Sequence, residues 1–162
     1  MRSKLSIAAA LAAILTVSLA AVTALPGPAA RADQMYHSHQ IALHPVGDEP
    51  LRSGFVENIH ASGPIIFEHE IYVLNGAEPA TTYQATLNIF PFNPTCAGSA
   101  GVVVVPTAAI TTNAAGNGSG DAVFHPSDVP TNLRHATHGA IWTVSDSSGT
   151  EFSTGCQVIT LD

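Results

Sequence analysis

Ile65-Ile66-Phe67-Glu68-His69-Glu70-Ile71-Tyr72-Val73-Leu74 has a period of two: Ile65, Phe67, His69, Ile71 and Val73 fall on one side, Glu68 and Glu70 on the other. Successive side chains of a strand point to opposite faces, so two acids on one side predict a half-buried β-strand with its apolar side inward. Phe67, Ile71 and Val73 are therefore expected in the core, and Glu68 and Glu70 in solvent.

The neighbouring runs have the same character. Residues 54–60 form one strand-length run. Residues 82–92 alternate again, with Tyr83, Ala85, Leu87 and Ile89 inward and Gln84, Thr86 and Asn88 outward, until Pro91 and Pro94 end the run before Cys96. The run 102–112 is apolar on both sides, which predicts a central or covered strand. A loop rich in Asn and Gly (113–120) leads to a short strand at 121–125, and Pro126-Ser127-Asp128-Val129-Pro130 predicts one turn capped by Ser127 or Asp128. The runs 139–146, with Trp142, and 151–161 are the last strands, joined across Ser147-Ser148-Gly149-Thr150 as a hairpin. Strands cut by turn residues at this spacing predict an all-β sandwich or barrel.

Ahead of these runs the chain opens on Met1-Arg2-Ser3-Lys4, continues uncharged and apolar over 5–22, and reaches the small-x-small site Ala30-Arg31-Ala32. That order predicts a signal peptide over 1–32 and a mature N-terminus at Asp33, against the competing reading of an uncleaved anchor. The expected location is secreted, periplasmic or cell-surface, with no membrane insertion after cleavage. Residues 33–52 hold two prolines and no sustained period, and are expected to be an extended arm with a short edge strand at 41–43. Residues 53–162 are the sandwich domain.

Beyond Ala32 only Arg52 and Arg134 face twelve Asp and Glu, and no Lys occurs. A net charge of about −10 repels phosphate backbones, which argues against nucleic acid as a partner. Cys96 and Cys156 are the only cysteines. In an exported chain they are expected to pair, with Cα atoms within about 7 Å. A bridge closing a loop of about 60 residues is worth roughly 4 kcal/mol.

Gly76-Ala77-Glu78-Pro79-Ala80-Thr81-Thr82-Tyr83, followed by the alternating run, resembles the Gly-Leu-x-Pro-x-Thr-x-Tyr corner of fibronectin type III domains. The resemblance implies that the Tyr83 ring fills the end of the core while its hydroxyl bonds a backbone group upstream. The flanks depart from fibronectin type III: too few strands precede Ile65 and too many follow Phe92. The later segment, from Phe124 through Trp142 to the final hairpin, is similar to the end of immunoglobulin-like domains. Together these imply an immunoglobulin-like antiparallel β-sandwich of about seven strands from Ser53, its topology open. Modules of this kind bind or space other molecules, and the fold does not decide which.

Eight histidines are the chemically suggestive feature. His37 and His39 are one residue apart, so an extended arm projects both imidazoles to one side. Two imidazoles can hold Cu(II) or Zn(II), with Asp33 or Glu49 completing the site; a solvated polar arm is the competing reading. His69, on the apolar side, is expected to be a neutral hydrogen-bonded core histidine, or one at a strand end where that face reaches solvent. His125, His135 and His138 meet only if their segments approach. No Gly-x-Ser-x-Gly is present. The carboxylate pairs Asp48-Glu49 and Glu68/Glu70 are expected on solvated surfaces, where nothing raises a pKa. Asp146-Ser147-Ser148-Gly149 is acidic and turn-like but is not an EF-hand. The sequence thus points to a non-enzymatic exported binding or surface-interaction module, with a protein or carbohydrate as partner and no cofactor; a Cu or Zn protein using histidines is the alternative.

Overall fold

The computed structural model describes residues 37–60 and 65–161. The expected signal peptide and cleavage site and the Ser62-Gly63-Pro64 turn lie outside the described residues. The strands in chain order are β1 (His37–Ala42), β2 (His44–Pro45), β3 (Ser53–His60), β4 (Glu68–Asn75), β5 (Thr82–Phe90), β6 (Val103–Thr111), β7 (Gly118–Phe124), β8 (Ala136–Ser145), β9 (Thr150–Ser153) and β10 (Gln157–Leu161). They form two antiparallel sheets, β1-β3-β4-β7 and β2-β9-β8-β5-β6, with β10 alongside the first half of β8. The all-β antiparallel sandwich is as expected. Its strands exceed the seven read from Ser53 because the run 151–161 is two strands. Gly155, at φ +69, breaks that run, and the Thr154 hydroxyl takes the Trp142 N–H that a continuous strand would have paired.

Residues 37–45 join both sheets. β1 is an edge strand paired with β3, the Leu43 amide bonds Gly54 O, and β2 pairs with β9 in the opposite sheet. Ile41 and Leu43 are consequently buried, and their apolar area ties this segment to the core.

The predicted inward residues Phe67, Tyr83, Leu87, Ile89 and Trp142 are buried. The face assigned to β4 is reversed. Glu68, Glu70, Tyr72 and Leu74 face the core, whereas His69, Ile71 and Val73 lie on the outer, half-buried side. A period of two separates two faces without saying which is inside, and Tyr72 and Leu74 carry more apolar bulk into the core than Ile71 and Val73. Phe67, just before β4, turns into a small second cluster with Leu133 and Leu161, so it is buried beside Glu68 despite the alternation.

The run 102–112 is also corrected: β6 is an edge strand paired only with β5, and Val104 is exposed. Pro106 fits that place, since a proline has no N–H to give a second neighbour. Tyr83 does what its corner position implies: its ring packs 5.5 Å from Phe152, and its hydroxyl accepts the Glu78 N–H at 3.2 Å. Asp128 caps the 3-10 turn Pro126–Asp128 by accepting the His125 N–H at 2.7 Å. Cys96 and Cys156 are bonded, with Cα atoms 5.8 Å apart.

Candidate functional site

The reversed face of β4 puts two carboxyl groups inside the sandwich. In the β3–β4 pairing Glu70 lies opposite Asn58 and Glu68 opposite His60, and Glu68, Glu70 and Asn58 are all buried. A buried carboxylate is costly unless hydrogen-bonded, and each oxygen of Glu70 has a donor. Trp142 Nε1–H of β8 donates to Oε1 at 2.5 Å, and the Tyr72 hydroxyl donates to Oε2. Thr107 of β6 donates in turn to the Tyr72 oxygen at 2.7 Å. Glu68 Oε1 accepts Asn58 Nδ2–H at 2.5 Å and lies 4.0 Å from His60 Nε2.

The two carboxyl groups are neighbours in the core, and the charge of Glu70 works against ionisation of Glu68. Two desolvated carboxyl groups side by side resist ionising together, so the pair favours keeping a proton. Glu70, with donors from Trp142 and Tyr72, is the better-stabilised anion, and Glu68 is the group pushed further up. Burial pushes Glu68 up to about 8, reinforced by the Glu70 charge and opposed by the Asn58 bond. Burial pushes Glu70 up to about 7, opposed by the Tyr72 and Trp142 bonds. Burial, and then the Glu70 charge, raise Tyr72 far above an ordinary phenol, so it stays a donor. The solvated placement expected for Glu68 and Glu70 is thus overturned, because desolvation supplies the cause for a raised pKa.

Glu68 forms part of the wall of a cavity of about 470 Å³ between the sheets. Its origin lies in the β6–β7 connection. At one end Gly118 and Gly120 let the two strands touch, since a Cβ there would sit 2.9 Å from Thr111 O and 2.8 Å from Ala109 O. Toward Phe124 both strands carry side chains that line the cavity. Leu87 and Ile89 of β5, Val103 and Val105 of β6 and Phe124 of β7 make the walls apolar. Val129 and Leu133 close the far side, and Thr107 and Asp128 add the polar rim. A smaller cavity of about 280 Å³ opens on the opposite side, lined by His39, Asn58, His60 and Trp142.

The histidines are dispersed. His37 and His39 belong to the paired strand β1 rather than to a free arm; His39 is exposed, and the side chain of His37 lies outside the described residues. Among the described residues no three His, Cys, Asp or Glu side chains are grouped to hold a metal ion. His69 is not in the core: it sits on the outer face, 3.4 Å from Asp121 of β7. The satisfied core histidine is His138, whose Nδ1 accepts the Phe92 N–H at 3.0 Å while Nε2 lies 2.7 Å from Leu133 O. With both ring nitrogens engaged, His138 is not available to join His125 and His135, which are exposed. Asp146 Oδ1 accepts the Ser148 N–H and hydroxyl and so shapes its own hairpin.

Sequence reasoning missed Glu68 and Glu70 as a site. The available signal was Tyr72 and Leu74, which continue the glutamate side of β4 and mark it as the heavier apolar face. Compared with protein-family models, with curated proteins and with solved structures, the chain shows no significant match to any of them.

Proposed function

We propose that this chain is an exported, non-enzymatic module that binds a small, largely apolar molecule between its sheets. The observation that carries the reading is the cavity of about 470 Å³ beside Glu68. Its size and apolar walls with few polar groups are those of small-molecule sites. A binding role is favoured over catalysis because the hydroxyl on the cavity wall, Thr107, donates to the Tyr72 oxygen and not directly to a histidine or carboxylate base. The Cys96–Cys156 bridge supports an oxidising, extracytoplasmic setting.

Titration of the protein with Nile red, a neutral dye that brightens in apolar surroundings, tests the reading. A saturable rise is expected for the wild type. It should vanish in Val105→Trp, which fills the cavity from an edge strand, with thermal unfolding preserved. A wild type that gives no saturable signal refutes small-molecule binding here.

A further inference from the structure

Resting on that reading, we propose that the ligand carries a basic nitrogen, held as an ammonium against Glu68 in the cavity wall. Among the described residues, the ionisable side chains lining the cavity are Glu68 and Asp128, both acids. The nearby Arg134 is not among the residues lining the cavity: its guanidinium is directed to the Pro126 and Val129 carbonyls and lies 5.5 Å from the centroid of the Phe67 ring. An apolar molecule with an anionic end would meet like charge at the rim and at the wall. A cationic end meets a carboxyl group already desolvated and held in place by Asn58, so little reorganisation is needed on binding.

The groups facing the acid pair come from four strands. β3 contributes Asn58 and His60, β4 its own Tyr72, β6 Thr107 and β8 Trp142. Asp128 lies across the cavity, and His39 belongs to the opposite opening. Of these, Glu68 is the group whose proton can be exchanged for the ligand's charge, because it is the carboxyl group of the pair that lines the cavity. A ligand entering as the free amine takes that proton: an N–H bond forms, the Glu68 O–H bond breaks, and an ammonium–carboxylate pair remains. A ligand entering as the ammonium sends the same proton to solvent. For a permanent cation, binding is therefore linked to release of one proton, and affinity should rise by about tenfold per pH unit below the Glu68 pKa.

The test uses calorimetric titration with cyclohexylmethylamine, its alcohol analogue cyclohexylmethanol, and the trimethylammonium analogue. At pH 7 the amine should bind at least tenfold more tightly than the alcohol, and Glu68→Gln should erase the difference while leaving alcohol binding intact. In the wild type alone, the trimethylammonium compound should bind more tightly at pH 7.5 than at pH 6, with the alcohol unchanged. Equal binding of amine and alcohol, or a trimethylammonium affinity independent of pH, overturns the ammonium site while the cavity reading stands. Failure of all three compounds to bind removes both.

Discussion

At the scale of single residues, the costly feature is the buried carboxyl pair Glu68 and Glu70, which keeps a proton that a solvated pair would lose. Both carboxyl groups are raised from the ordinary value of 4.5, to about 8 and about 7, so the folded chain holds protons more tightly than the unfolded one. The pair's contribution to stability is therefore fully present below about pH 4.5 and is lost as pH rises through 7 and 8. Glu68→Gln should flatten this dependence. Its amide oxygen can accept from Asn58, keeping that bond without an exchangeable proton. Urea midpoints at pH 5, 7 and 9 should fall with pH for the wild type and fall less for Glu68→Gln, the variant being the more stable protein at pH 9. Equal slopes for the two proteins would show that Glu68 does not hold the proton.

At the scale of the strand, β4 presents a polar-aromatic face inward and an aliphatic, histidine-bearing face outward. The two faces should respond differently to substitution. Tyr72→Phe deletes the donor to Glu70 and the acceptor of Thr107 inside the core, and should cost on the order of 1–3 kcal/mol. Val73→Thr, on the half-buried outer face, should cost less than about 1 kcal/mol. Chemical denaturation of the two variants checks the orientation: a larger loss at Val73 would place the outer face inside. The edge position of β6 teaches a related lesson. Its valines suggested a covered strand, yet Pro106 in their midst was the better guide, because a missing N–H restricts a strand to an edge.

For the molecule as a whole, one covalent bond ties the loop after β5 to the junction of β9 and β10, closing a segment with a sequence separation of 60. Gly139 packs directly beneath this bridge, where a Cβ would lie 2.6 Å from Cys96 Sγ. Replacing both cysteines by serine should lower stability by roughly 4 kcal/mol on the loop-closure estimate, measured by urea unfolding. A loss near zero would mean that the sheets alone already hold these segments together.

The sequence by itself determined the strand class, the hairpin loop at 147–150, the turn at 126–128, the cysteine partners and the Tyr83 corner, since each follows from local periodicity, turn chemistry or a short motif. Tertiary structure alone decided which face of β4 is inside, because that choice depends on donors from Asn58 on β3, Thr107 on β6 and Trp142 on β8. Those partners lie 10 to 72 residues away from the carboxylates or the tyrosine they serve. An acidic residue reads as solvated until something desolvates it and supplies its hydrogen bonds, and here the assembled sandwich does both.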